Sequence, residues 1–180
     1  MTLEPLGPAG LQLVIPKLLG DERGWFKEAW RDDAFPGLNF VQMNMSHSRG
    51  GVVRGLHYQE PHPMTKLVFV VSGTIIDVAV DIRVGSPTFG EFWQAELSGD
   101  NHRQLCIPPG FAHGFEVLSE SATIGYMVTE RFIPENDRAI RWDDPAIGIP
   151  WRTADPVISA RDAAAPELAQ ATVLPRFSAQ

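Results

Sequence analysis

The sequence predicts an all-β domain, folded as an antiparallel double-sheet jelly roll, on three observations. Short runs rich in β-branched and aromatic residues recur along most of the chain. Helical stretches are minor: we expect one turn near 31–35 and a short helix near 160–169, toward the C-terminus. Turn residues separate the runs at 50–51, 85–87, 99–101 and 108–110. Many short strands at this spacing are typical of a sandwich or barrel, for which the jelly roll is the natural candidate.

In chain order, we expect strands at 11–14, 25–30, 40–46, 67–71, 75–82, 90–97, 103–107, 114–118 and 122–129. The runs 67–71 and 75–82 flank a Ser-Gly-Thr turn, a pattern that predicts a β-hairpin. Within 75–82, apolar side chains alternate with Asp77 and Asp81. This alternation indicates a half-exposed strand with outward carboxylates and not an acid/base pair. The late helix begins at Ser159 with the form of a capping box.

The length and charge of the chain limit its function classes. Its 180 residues suit one domain. A formal net charge of -7, from 15 Lys and Arg against 22 Asp and Glu, argues against binding to nucleic acid or to an anionic membrane surface. An anionic ligand would therefore need a local cluster of cations.

Targeting signals and cysteine usage predict a cytoplasmic protein. The N-terminus has no basic stretch before an apolar core, and Pro5, Pro8 and Pro16 interrupt it, unlike a secretory signal. No uninterrupted apolar segment approaches the roughly 20 residues of a membrane helix. The single cysteine, Cys106, excludes an internal disulfide and is interpreted as a small buried hydrophobe, because it lies in an apolar run.

Four side chains are suited to proton transfer beside a carbonyl group. His57 and His113 supply imidazoles, which can act as bases near neutral pH; Tyr126 supplies a weak acid. Lys66 supplies a cation that can hold an enolate oxygen. Taken singly, each has a structural interpretation: histidines bonded in turns, a core-facing tyrosine and a solvated lysine at a strand end. Their shared context decides between the two interpretations.

That context resembles the dTDP-4-dehydrorhamnose 3,5-epimerase family, whose members are cupin-type jelly rolls. The matching segments are in family order and cover nearly the whole chain, so together they are highly specific. They are Asp21–Glu28, Phe40–Ser46, Arg54–His57, Lys66–Val68, Asp77–Arg83, Ser86–Gly90, Ile107–Phe115, Ile140–Pro145 and Ser159–Asp162.

The resemblance implies epimerisation at C3 and C5 of dTDP-4-dehydro-6-deoxy-D-glucose, giving dTDP-4-dehydro-L-rhamnose, with no metal and no organic cofactor. It gives His57 the role of base and Asp162 that of the carboxylate that orients it. Asp162 alone would instead be interpreted as a helix-capping residue. Tyr126, thirteen residues beyond His113, becomes the acid on the opposite face of the sugar. Lys66 and His113 are expected beside the C4 oxygen.

The resemblance also implies a homodimer and a nucleotide subsite. The residues expected there are Arg23 and Arg54 at the diphosphate, with Arg23 arriving from the other subunit, and Phe26, Glu28, Gln42 and Asn44 at the nucleotide. In the stretch 131–134, where relatives often have two aromatics, a tyrosine hydroxyl common in the family is absent; Phe132 keeps the stacking on the base, but a hydrogen bond is lost. We expect a single epimerase domain over 1–180, with N-terminal strands in the dimer and 152–180 packed on the barrel.

Three other functions stay open at this point. A C3-only epimerase of a related nucleotide 4-keto-deoxysugar would share the same base and acid. A metal-dependent cupin oxygenase or isomerase would need a fuller ligand set than His57, Gln59 and His62 offer. A sugar-binding module without activity would need neither His57 nor Tyr126.

Overall fold

A computed structural model describes residues 1–178 of the chain. Its strands are β1 (Thr2–Leu6), β2 (Leu11–Ile15), β3 (Leu18–Asp21), β4 (Gly24–Lys27), β5 (Gln42–Arg49), β6 (Val53–Gln59), β7 (Lys66–Ser72), β8 (Thr74–Asp81), β9 (Phe92–Ser98), β10 (Gln104–Ile107), β11 (Phe111–Val117), β12 (Ser121–Val128) and β13 (Asp137–Ala139). The helix α1 spans Ala160–Ala163, and single 3-10 turns cover Asp32–Ala34, Pro134–Asn136 and Leu168–Gln170.

The strands form two facing antiparallel sheets, which confirms the predicted jelly roll. One sheet has the order β1-β2-β10-β7-β12-β5, and the other has the order β13-β6-β11-β8-β9. Between them lies a core that includes Val68 and Leu105 of the first sheet and Ile75, Ala79 and Phe115 of the second. The β3–β4 hairpin pairs only with itself among the described residues. Its Trp25 ring packs on His102, with ring centroids 4.3 Å apart.

The hairpin predicted across β7 and β8 is wrong, because the chain changes sheets there. β7 pairs with β10 and β12, whereas β8 pairs with β9 and β11. Gly73 makes the corner with φ +84°, and a Cβ atom at this position would lie 2.1 Å from the carbonyl oxygen of Ser121. Only glycine tolerates both the positive φ and the close approach.

The prediction that Asp77 and Asp81 face solvent is also wrong. Both are fully buried, with 0% exposure. Both lie on the same side of β8 as Ile75 and Ala79, which face the other sheet. The opposite, apolar side of the strand is covered by the C-terminal segment, including Leu168. The carboxylates therefore point into the barrel, where Asp81 accepts hydrogen bonds from neighbouring side chains of Arg83, Ser86 and Thr88.

Element boundaries differ from prediction in several places. The strand expected at 25–30 ends at Lys27, and the helix expected at 160–169 is reduced to α1, followed after Pro166 by a separate 3-10 turn. The strands β1, β3, β6 and β13 were not predicted. β6 was missed because Gly55, a residue of low strand propensity, lies in its middle. A glycine is required there, since a Cβ atom would come 2.6 Å from the Cα atom of Gly114 on β11.

The C-terminal segment returns to the barrel beside β6. Val157 makes a parallel bridge to Val52, and the Tyr58 hydroxyl donates to the carbonyl of Val173 at 2.8 Å. Residues 179–180, part of the predicted packing segment, lie outside the described residues. Cys106 is buried, as predicted. Among residues 1–178, no helix combines the length and apolar character required to cross a bilayer.

Candidate active site

A cavity of 440 Å³ opens between the two sheets and brings together side chains far apart in sequence. His57 on β6 and His113 on β11 line it from one sheet; Lys66 on β7, Asn44 on β5 and Tyr126 on β12 line it from the other. A larger open groove of 780 Å³ has one imidazole in its lining, His62, and contains none of His57, His113, Lys66 and Tyr126. The smaller cavity is therefore the candidate site.

His57 is bonded to a buried carboxylate. Its Nε2 lies 2.7 Å from Oδ1 of Asp162, whose side chain is 4% exposed, whereas the imidazole is 31% exposed. Burial alone would raise the pKa of Asp162, but hydrogen bonds from His57 and from the backbone N–H of Gly55 bring it below its ordinary value. An ionised carboxylate can only accept, so neutral His57 carries its proton on Nε2 and leaves the lone pair of Nδ1 free.

The N-terminal cap of α1 positions Asp162 beside His57. Ser159 is the N-cap, and its Oγ accepts the backbone N–H of Asp162 at 3.0 Å. The capping interpretation is therefore correct for the backbone of Asp162, while its side chain turns to His57, 105 residues earlier. One residue satisfies both interpretations, because the cap uses its N–H and the imidazole uses its carboxylate.

His113 has a carboxylate partner of its own, which sequence reasoning missed. Its Nε2 lies 2.7 Å from Oδ1 of Asp77, and both side chains are buried. Burial lowers the pKa of His113, although the charge of Asp77 opposes the shift. Asp77 was set aside because its alternation with apolar neighbours was assigned to the wrong side of the sheet.

Lys66 and Tyr126 complete the facing wall. The Lys66 ammonium donates to the backbone carbonyl of His57 at 3.2 Å. Burial lowers the pKa of Lys66 to about 8, against the opposing charges of Asp137 and Asp77. Burial raises the pKa of Tyr126, so its phenol holds its proton at neutral pH.

The two walls put a base and an acid on opposite sides of one space. His57 and His113 are cross-strand partners on β6 and β11. Tyr126 lies on the other sheet, where its neighbour Val128 pairs with Lys66. Facing sheets are separated by about 10 Å, a gap that side chains fill elsewhere in the barrel and that a sugar ring can fill here. Such an arrangement can remove a proton from one face of a ring and return one to the other.

Comparison with known proteins identifies the family. A sequence model described as dTDP-4-dehydrorhamnose 3,5-epimerase matches residues 7–170. The chain belongs to the dTDP-4-dehydrorhamnose 3,5-epimerase family. The resemblance inferred from its motifs is confirmed.

Individual members of this epimerase family are similar over most of the chain. An enzyme named dTDP-4-dehydrorhamnose 3,5-epimerase from Sinorhizobium fredii is 44% identical over 180 residues, which cover 96% of this chain and 92% of that one. One of the same name from Neisseria gonorrhoeae is 48% identical over 167 residues; the match covers 89% of this chain but spans about half, 51%, of that relative's length. A crystal structure of dTDP-6-deoxy-D-glucose-3,5-epimerase from Legionella pneumophila, in complex with dTDP-4-keto-L-rhamnose, superimposes with a TM-score of 0.96 at 43% identity and 99% coverage of both chains.

Cations gather at one end of this epimerase-family cavity. Arg54 and Arg161 both line it. The Nε of Arg54 donates to Oγ of Ser48 at 2.9 Å, and Nη1 of Arg161 lies 2.6 Å from Oδ2 of Asp137, which also lines the cavity. These cations form the local cluster that an acidic chain needs for an anionic ligand. Sequence reasoning missed Arg161 and Asp137, whose distance apart in sequence gave no sign that they meet.

The predicted nucleotide residues divide into two groups. Asn44 and Phe132 line the cavity. Gln42 holds both in place: its Nε2 donates to Oδ1 of Asn44 at 2.8 Å, and its Oε1 accepts the backbone N–H of Phe132 at 3.0 Å. Arg23, Phe26 and Glu28 lie on or just after the β3–β4 hairpin and do not line the cavity of their own chain. The Arg23 side chain is 85% exposed and is held by Asp21.

Proposed function

We propose that this protein converts dTDP-4-dehydro-6-deoxy-D-glucose to dTDP-4-dehydro-L-rhamnose by inverting C3 and C5. The observation that carries the proposal is the imidazole–carboxylate pair of His57 and Asp162 opposite the phenol of Tyr126 across one cavity. The Legionella pneumophila relative holds dTDP-4-keto-L-rhamnose, which supports the substrate class.

In the proposed reaction, the C4 ketone acidifies the C–H bonds at C3 and C5. Nδ1 of His57 takes the proton, and the electron pair of the C–H bond moves into an enolate. Tyr126 then gives its proton to the opposite face of the same carbon. Two groups are required, because a base that returned its own proton to the same face would restore the starting configuration. Asp162 fixes the imidazole tautomer and stabilises the imidazolium.

The enolate oxygen needs a donor, and we assign this role chiefly to Lys66. A preformed donor at a developing oxyanion is worth about 3 kcal/mol in comparable sites. Neutral His113, with its Nε2 proton directed to Asp77, offers only an acceptor at Nδ1. His113 can donate to the same oxygen only as an imidazolium, which Asp77 would stabilise. The ammonium of Lys66 has protons to donate without this requirement.

The nucleotide end of the substrate would use the cationic end of the cavity. A planar guanidinium suits phosphate oxygens, and we assign Arg54 to the diphosphate. Phe132, half-exposed, is suited to stack on the base, and Asn44, held by Gln42, to bond its edge.

We further propose that the protein is a homodimer and that its whole chain acts as one domain. Exposed apolar side chains are concentrated on the β3–β4 hairpin and on β5: Leu19, Trp25, Phe26, Met43 and Met45 are each 54–67% exposed. β5 is also an edge strand of its sheet among the described residues. Apolar surface at a sheet edge favours covering by another chain. A second copy there could supply Arg23, Phe26 and Glu28. The buried free thiol of Cys106 supports a reducing, cytoplasmic location.

Subunit complementation tests whether Arg23 acts across the dimer. Arg23→Ala and His57→Ala chains, each expected to be inactive alone, are refolded together in equal amounts. Half of the dimers then contain one chain of each variant. In each of these mixed dimers, one of the two sites has both His57 and Arg23, so activity should recover to about one quarter of wild type. No recovery, in mixtures shown by mass spectrometry to contain mixed dimers, would assign Arg23 to its own chain or to no site.

Solvent labelling tests the reaction itself. The protein is incubated with the 4-keto sugar nucleotide in deuterated water, and label at each carbon is followed by NMR. Deuterium at both C3 and C5, with inverted configuration, is the expected result. Label at C3 alone would make the protein a C3-epimerase, and no label at either carbon would contradict the proposal. Metal analysis of the active protein tests the metal-dependent cupin alternative.

The pH profile of kcat/KM should report the ionisation of Lys66. The pKa of Lys66 lies near 8 in the free protein, and only the protonated form can hold the enolate oxygen, so kcat/KM is expected to fall as pH rises through about 8. Bound anionic substrate should raise this pKa, so kcat should persist to higher pH. Lys66→Arg should lower kcat/KM, but its kcat/KM should no longer fall as pH rises through about 8, because a guanidinium stays protonated. If kcat/KM of Lys66→Arg fell over the same pH range as that of wild type, the titrating group would be a different residue.

A further inference from the structure

Strand β5 directs a row of polar side chains toward the barrel interior. Gln42, Asn44, Ser46 and Ser48 alternate with exposed residues along the strand. Gln42 and Asn44 bond each other, and Ser48 accepts a hydrogen bond from Arg54. Of the four, only Ser46 has a buried side-chain oxygen without a hydrogen-bond partner in the described structure. A buried hydroxyl without a partner in the protein calls for an explanation, and a bound ligand is one.

The position of Ser46 suggests what it binds. Its side chain lines the 440 Å³ cavity. Ser46 pairs with Ile124 across the ladder, so Tyr126 is its diagonal neighbour on the same face. In the other direction along β5, Ser48 lies two residues away, about 7 Å, and holds Arg54. The unused hydroxyl therefore lies between the proposed acid and the proposed phosphate-binding guanidinium.

The contacts of Arg54 favour an anion beside this hydroxyl. Oγ of Ser48 accepts a hydrogen bond from Nε of Arg54, while in residues 1–178 the two terminal amino groups of that guanidinium have no hydrogen-bond partner. Terminal amino groups of arginine pair with phosphate oxygens, and a serine hydroxyl donates to the same oxygens. A phosphate at this point would satisfy Arg54 and Ser46 together.

We propose that Ser46 donates a hydrogen bond to a phosphate oxygen of the bound nucleotide sugar, next to Arg54. This inference rests on the proposed function, since it takes the substrate to be a nucleoside diphosphate sugar. In the described structure the Ser46 hydroxyl has no partner within the protein, and the ligand would supply one. Removal of this hydroxyl should therefore weaken phosphate binding without a loss of folding stability.

The test compares Ser46→Ala with Ser46→Thr, which keeps a hydroxyl. Calorimetric titration with dTDP should give an affinity about 10-fold weaker for Ser46→Ala, the loss expected for one hydrogen bond to a charged group, and near wild type for Ser46→Thr. Thymidine, which has no phosphate, should bind both variants as it binds wild type. Equal dTDP affinity in wild type and Ser46→Ala would overturn the inference, even if turnover of the keto sugar falls.

Thermal unfolding of the free protein separates this role from a structural one. Ser46→Ala should be about as stable as wild type, because it removes no hydrogen bond within the protein. Ser48→Ala, the matched control on the same strand, should lower Tm because it removes a bonded one. A comparable loss of Tm in Ser46→Ala would show that Ser46 bonds within the protein, contrary to the inference. Solvent labelling by the wild type tests the proposed function independently of either variant.

Discussion

His57→Ala is expected to lower kcat by at least about 10²–10⁴-fold while dTDP binding stays near wild type. The range is the usual contribution of a positioned general base. The imidazole acts on the sugar ring, whereas the nucleotide is bound by other side chains, so affinity for dTDP should survive. The rate is measured by NMR with the keto sugar nucleotide, and affinity by calorimetry. Retained turnover would contradict the assignment of the base.

Two further variants sharpen this result. His47→Ala removes an exposed imidazole that bonds Thr123 outside the cavity, and it should leave the rate near wild type. Asp162→Asn should lower kcat on its own, because the carboxylate fixes the tautomer of His57. Added to His57→Ala, it should cost little more, because Asp162 acts through the imidazole. Fully additive losses would show that Asp162 has a role separate from His57.

The fold could be predicted because its signals are local. Turn residues and short apolar runs located most strands of both sheets. The connection from β7 to β8 could not be predicted this way, because a glycine between two strands is equally compatible with a hairpin and with a corner between sheets. The distinction depends on which strands β7 and β8 meet, and both partners of β7 lie later in the chain.

The side of a strand that faces the interior is likewise a tertiary property. Alternation along β8 correctly separated an apolar side from a carboxylate side. It could not show that the C-terminal segment would cover the apolar side, nor that Asp77 would point inward to His113. Burying a carboxylate is costly without partners, so the hydrophobic pattern favoured the wrong side. The interior of this barrel is polar where the cavity lies.

The candidate site depended on resemblance more than on pattern. His57 and Asp162 meet across 105 residues, and no spacing rule predicts that contact. Motif resemblance did predict it, together with the shared cavity of Lys66, His113 and Tyr126. Asp137, Arg161 and Ser46 were not predicted as site residues, because their positions at the cavity depend on neighbours supplied by other strands.

Tyr126→Phe is expected to separate proton exchange from inversion. The phenol is the proposed donor on the far face of the sugar, so net inversion should fall by about 10²–10⁴-fold. His57 can still remove a proton and exchange it with solvent, so deuterium should continue to enter the substrate with its configuration retained. The measurement is label incorporation into recovered substrate alongside formation of inverted product.

The other tyrosine of the chain provides the matched control. Tyr58 donates its hydroxyl to the carbonyl of Val173, so Tyr58→Phe should cost about 1 kcal/mol of folding stability and leave inversion intact. If exchange and inversion instead fall together in Tyr126→Phe, the acid and the base do not act independently on the two faces. One group would then have to serve both faces. The separation of His57 and Tyr126 onto facing sheets would not be the basis of the reaction.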